Sequence, residues 1–111
     1  MHISFADSRL EKDLNDMKAM VRKYGKQRAS KLGQRLGQLA DAISLAEFRH
    51  LPGRCHELKG QLKGQLALDL DGPYRLLFEP AHEPVPQTED GGLDWGSVTR
   101  VKILEIVDYH D

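Results

Sequence analysis

Six side chains in this 111-residue sequence are of the types that cleave a phosphodiester bond without a metal. Asp108, Tyr109 and His110 close a strongly strand-like run, and His56, Lys59 and Arg75 lie upstream in short apolar segments. RNA transesterification needs a general base, a general acid and cations that stabilise the phosphorane, and strand ends would hold such groups rigidly. Period two puts Asp108 and His110 on one face of the last strand and Tyr109 on the other. His56 shares parity with Leu58 rather than with Lys59, so the chain must bend there, or the strand start late, for both to reach one pocket.

Each residue also has an ordinary structural use. Lys59 and Lys63 flank Gly60 and Gly64, as charged residues do in an exposed turn. Arg75, inside an apolar strand, needs either a carboxylate (Asp69, Glu79 or Asp108) or a ligand phosphate. Cys55 adjoins His56, but neighbours on a strand point to opposite faces, which argues against a thiol nucleophile. His50, His56, His82 and His110 lack zinc-ligand spacing, no cysteine pair supports them, and Gly60, Gly64 and Gly72 do not make a phosphate-cradling loop. No metal or cofactor is expected.

Length and 40% apolar content suit a single domain over 1–111. No apolar run approaches the ~20 residues that span a bilayer, no signal peptide is evident, and a lone cysteine suits a reducing compartment, so a cytoplasmic protein without membrane contact is expected. Residues 1–66 carry 13 Lys/Arg against 7 Asp/Glu, and 67–111 carry 3 against 10. A basic front half can follow a phosphate backbone, although a charge run on a helix is more often a solvated face.

The supporting elements follow from periodicity. Met1–Phe5 reads as a short strand. Ser8 with Glu11 fits a capping box opening a helix to about Tyr24, with Leu10, Leu14, Met17, Val21 and Tyr24 as its apolar stripe and Gly25 as its stop. A second helix carries Ala29, Leu32, Leu36, Leu39 and Ile43, and Gly33 and Gly37 would let the first approach closely. Leu45–Leu51 suits one further helical turn before Pro52-Gly53. Leu66, Leu68 and Leu70, the turn Asp71-Gly72-Pro73 and Tyr74–Phe78 read as a hairpin. The Pro/Gly-rich acidic stretch at about 80–97 reads as a surface loop without a strand. Val98–Val107 has aliphatics on both parities, as a strand inside a sheet does. The expected fold is α+β: an N-terminal helical hairpin packed on a small, twisted, mainly antiparallel sheet.

Taken in order, the helical hairpin, Leu51-Pro52-Gly53-Arg54-Cys55-His56-Glu57-Leu58-Lys59-Gly60, Tyr74-Arg75-Leu76-Leu77-Phe78 and Val107-Asp108-Tyr109-His110 resemble the RelE/ParE toxin superfamily over essentially the whole chain. The resemblance is to its HigB-type plasmid-maintenance killer branch; chains of this kind are sometimes labelled killer suppression protein HigA. It implies the toxin of a type II toxin–antitoxin system, a ribosome-dependent messenger RNA endoribonuclease (mRNA interferase) silenced by a cognate helix-turn-helix antitoxin. It also implies a metal-independent attack of the ribose 2′-hydroxyl on the adjacent phosphate. His110 or Asp108 would take the proton, His56 would protonate the leaving oxygen, Lys59 and Arg75 would stabilise the transition-state charge, and Tyr109 would position the base. The alternative is a non-catalytic killer suppressor or a ParE-like protein-binding module on the same scaffold.

Overall fold

The structure, a computed structural model, describes residues 1–108. Three helices, α1 (Ser8–Leu14), α2 (Met17–Tyr24) and α3 (Lys26–Asp41), pack against a five-stranded sheet. Its strands are β1 (His2–Phe5), β2 (His56–Glu57), β3 (Leu66–Asp69), β4 (Tyr74–Pro80) and β5 (Arg100–Asp108), arranged β1-β5-β4-β3-β2. β1 runs parallel to β5, and the other three pairings are antiparallel. This is the expected α+β architecture, and β5 is an interior strand as its composition suggests.

The helix expected over Ser8–Tyr24 is two helices. Asp7 caps the first, its carboxylate accepting from Leu10 N–H at 2.8 Å, and Asp16 caps the second by accepting from Ala19 N–H at 2.8 Å. The cap therefore lies one residue before Ser8. A short side-chain acceptor that bonds its own downstream N–H competes with helix continuation, so the chain turns at Asn15-Asp16. The apolar stripe is redistributed: Leu14 and Met20 enter the core, whereas Met17 and Val21 are exposed. Gly25, at φ +87°, joins α2 to α3. The C-terminal carbonyls of α3 end on a cation, because the Met1 ammonium donates to Leu39, Ala40 and Ala42 oxygens at 3.0, 2.8 and 2.6 Å.

One sheet face supplies Leu66, Leu68, Leu76, Phe78, Val101 and Ile103 to a core completed by Leu14, Met20, Ala29, Leu32 and Leu39 of the helices. Val101, Ile103 and Ile106 all serve this face although their parity differs. Leu77 lies opposite Glu105 but Phe78 lies opposite Ile103, so Leu104 is left unpaired and the alternation of β5 resets. A bulge, rather than burial on two faces, explains the mixed parity.

The further turn forms as a 3₁₀ helix, Leu45–Arg49, with Ser44 and Glu47 as a capping box. The 81–97 segment is better anchored than a bare surface loop. Gln87 and Leu93 form an isolated bridge, Trp95–Ser97 is a 3₁₀ turn, and Trp95 is buried. The Trp95 indole donates to Glu57 Oε2 at 3.0 Å, and the Arg49 guanidinium lies 4.3 Å from its ring centroid.

Candidate functional site

Cross-strand partners share a sheet face, so the register alone lays out the side turned away from the helices. His56 of β2 pairs with Ala67 of β3, Ala67 with Leu77 of β4, and Leu77 with Glu105 of β5, one row across four strands. The next row on the same face holds Asp69, Arg75 and Val107. Ala67 and Leu77 are buried outside the main core and floor the row between His56 and Glu105.

His56 is exposed, and its Nδ1 lies 2.7 Å from the Arg54 carbonyl oxygen. A carbonyl only accepts, so Nδ1 carries the hydrogen and Nε2 is left as the reactive nitrogen. Arg75 meets Asp69 across the ladder, with Nε 2.8 Å from Oδ1, and its Nη1 donates to the Gly72 and Tyr74 carbonyls at 3.1 and 2.9 Å. Of the carboxylates open to it from sequence, Asp69 is the one it takes. Arg54 forks onto the same carboxylate, with Nε donating to Oδ2 at 2.7 Å and Nη2 to Oδ1 at 3.2 Å. Beneath them Arg35, a buried α3 residue, donates from Nε to the Asp69 backbone oxygen at 2.9 Å. On the helix side of the same hairpin, Arg28 pairs with Asp71 at 3.1 Å and lies over the Tyr74 ring.

The other candidates lie elsewhere. Lys59 is exposed beyond the end of β2, on the rim of a cleft of ≈ 720 Å³ lined also by Glu57, Lys63, Val85, Gln87 and Leu93. His56, Arg75 and Asp108 do not line it. Asp108 is in register with Tyr74, on the parity of Leu76, and thus on the helix-bearing side. Tyr109 and His110 lie outside the described residues. The structure therefore puts His56 and Arg75 on one face, Lys59 in a neighbouring cleft and Asp108 in register with the opposite face.

Solved structures are similar to this fold over the whole chain. A YoeB/ParE toxin from Agrobacterium tumefaciens superposes with a TM-score of 0.59 at 12% identity, each chain covered over 100% of its length. The fold is that of the YoeB/ParE toxins. A YoeB dimer from Staphylococcus aureus gives 0.53 at 18% identity, and a YoeB–YefM complex from the same organism 0.55 at 16%; both cover 100% of this chain and 98% of theirs. No protein-family profile matches the chain, and no curated protein matches it.

On this YoeB/ParE-like scaffold Cys55 is not a nucleophile in waiting. It packs against the core, and burial, with Glu57 nearby, pushes its thiol up to about 12 despite the opposing charge of Arg49. Arg54 and Glu105 join the open face without having been singled out from sequence. For Arg54 strand parity offered no signal, because it precedes β2 in a left-handed bend at φ +47°. Glu105 could not be placed without knowing of the bulge at Leu104.

Proposed function

We propose that this chain is the toxin of a type II toxin–antitoxin pair, a HigB-like member of the RelE/ParE superfamily acting in plasmid maintenance as one domain over 1–111. It cleaves messenger RNA on the ribosome by metal-independent transesterification, and so works in the cytoplasm. None of the described helices is long and apolar enough to cross a membrane. The observation that carries the reading is the pairing of an outward-facing imidazole, His56, with a strand arginine, Arg75, on the open face of a toxin-like fold. In the proposed step the ribose 2′-oxygen attacks phosphorus as its proton passes to His110. The bond to the 5′-oxygen breaks, and that oxygen takes a proton from His56. His56 enters as imidazolium, with Nδ1–H kept on the Arg54 carbonyl and Nε2–H presented outward. Arg75 and Lys59 offset the charge of the phosphorane, and Tyr109 positions the base. A cognate helix-turn-helix antitoxin would hold the toxin silent; the YoeB neighbour has been solved with YefM bound.

Two observations favour the alternative of a non-catalytic killer suppressor or ParE-like binding module: Asp69 already occupies Arg75, and Asp108 is in register with the helix-bearing side. Inducible expression in a bacterial host separates the two. Growth arrest with new, codon-phased messenger 5′ ends, reduced about 10²-fold or more by His56→Ala/His110→Ala, is the expected outcome. Normal growth and intact messages with a folded wild-type protein would overturn the catalytic reading.

A further inference from the structure

We infer that Arg35 is a positioning residue of the open face: from the helix side of the sheet it fixes the two backbone segments that aim Arg75 and His56. This role rests on the RNA-cleaving reading above and adds to that site a residue beyond the six already placed in it.

Arg35 is 5% exposed, the one charged side chain buried among the described residues, and none of their carboxylates forms an ion pair with it. It lies with Ala29, Leu32 and Leu39 on the buried stripe of α3, where an aliphatic side chain is the ordinary occupant. Burying a guanidinium is costlier than burying an apolar residue of similar volume, so core stability alone does not account for it. Its bonds show what it holds.

β2 is short, its two residues pairing with Ala67 and Leu66, so among the described residues no strand reaches the outer edge of β3 at Asp69. Two substitutes take that edge. The Gly53 carbonyl accepts from Asp69 N–H at 2.8 Å, and Arg35 Nε donates to the Asp69 carbonyl at 2.9 Å. Arg35 Nη1 donates to Gln38 Oε1 at 3.2 Å, which ties the guanidinium to its own helix. The same guanidinium walls the turn at Gly53, where a Cβ would fall 3.0 Å from Nε and 3.1 Å from Cζ. Gly53 is at φ +114° and Arg54 follows at φ +47°, a bend that persists only where its surroundings over-determine it.

One proposed functional group hangs on each of these segments. The Asp69 carboxylate meets Arg75 Nε at 2.8 Å, and the Arg54 carbonyl holds His56 Nδ1 at 2.7 Å. One buried side chain therefore sets the strand residue that anchors the guanidinium relative to the bend that fixes the imidazole tautomer. A misplacement of about 1 Å at such groups can cost roughly 10²-fold in rate.

The test compares wild type with Arg35→Met in the full chain by melting temperature, by the tautomer of His56 read from its ring nitrogen chemical shifts, and by message cleavage on programmed ribosomes. Methionine fills much of the space without the charge or the donors. The expected result is a melting temperature unchanged or raised, a His56 hydrogen no longer held on Nδ1 alone, and kcat lowered about 10-fold or more with KM unchanged, because the displaced groups act in the transition state. A wild-type kcat or a wild-type tautomer would overturn the inference. So would a melting temperature low enough for the unfolded fraction to account for the lost activity. Should the methionine variant fail to fold, Arg35→Lys decides: it keeps the charge but not the planar fork that joins Asp69 to Gln38, so slower cleavage with an altered tautomer supports the role and a wild-type rate overturns it. A cleaving wild type matched by Arg35→Met removes Arg35 and leaves the RNA reading standing. A wild type that cleaves no message removes both.

Discussion

Leu76 and Leu77 are neighbours on β4, both buried, yet they belong to different regions of the molecule. Leu76 points into the helix-covered core beside Leu68 and Ile106, whereas Leu77 lies on the open face between Ala67 and Glu105. The first face is apolar and closed by three helices. The second has a small apolar floor edged by His56, Asp69, Arg75 and Glu105. The helix-covered face supplies the stability that lets the other keep strained and charged groups in place. The proposed chemistry falls on the face that the core does not need.

Substituting across this divide should expose it. Leu76→Ala leaves a cavity in a closed core and is expected to cost about 3–5 kcal/mol, read as the shift in a denaturation midpoint. Leu77→Ala, on a face whose side chains can close over the gap, is expected to cost about 2 kcal/mol or less. Equal costs would mean that the open face is a second closed core and would break the comparison.

Cys55 and His56 repeat the contrast at β2, two strands away, the thiol packed inward and the imidazole outward. With its thiol raised from 9.0 to about 12, native Cys55 should alkylate roughly 10³-fold more slowly at pH 8 than in the unfolded chain. The sign for stability follows: the native state holds this proton more tightly, so the contribution is full below pH 9 and is lost as pH rises from 9 towards about 12. Rapid alkylation of the folded protein would place the thiol on the open side instead.

How far the sequence carried depends on whether local or distant contacts decide. Strand and helix positions were readable because Leu66, Leu68 and Leu70 alternate and Ala29, Leu32, Leu36 and Leu39 recur at helical spacing. The break at Asp16 was missed because a capping aspartate inside a continuous apolar stripe looks like a surface charge. The role of Trp95 was missed because its partners, Glu57 and Arg49, lie 38 and 46 positions away in a stretch whose prolines and glycines read as loop. Of the site, the requirement that Arg75 find a carboxylate or a phosphate was readable. That Asp69 also collects Arg54 was not, because it depends on the left-handed bend after Gly53.

The 81–97 segment offers a smaller test of how the two faces stay separate. Glu57 lies on the core-side parity of β2 and accepts the Trp95 N–H. Glu57→Gln keeps an acceptor but loses its charge, so a cost of about 1 kcal/mol is expected. Glu57 also raises the Cys55 thiol, so the same variant should quicken Cys55 alkylation. A stability loss without faster alkylation would mean that burial alone controls the thiol.

The smallest effects concern how the helices close the covered face, where Gly33 and Gly37 looked equivalent in sequence. They are not. A Cβ on Gly33 would lie 3.0 Å from Met17 Cε, whereas one on Gly37 meets nothing within 4 Å. Alanine is favoured over glycine in a helix interior by about 0.8–1 kcal/mol. Gly37→Ala should therefore stabilise by close to that amount. Gly33→Ala should gain less, because the Met17 methyl must move, though it is the far end of a flexible side chain that is 49% exposed. If the two variants gain equally, α2 does not lean on α3 at Gly33. If Gly33→Ala is destabilising, the hairpin is packed too tightly there for Met17 to yield, and the covered face is more rigid than its exposed methionine implies.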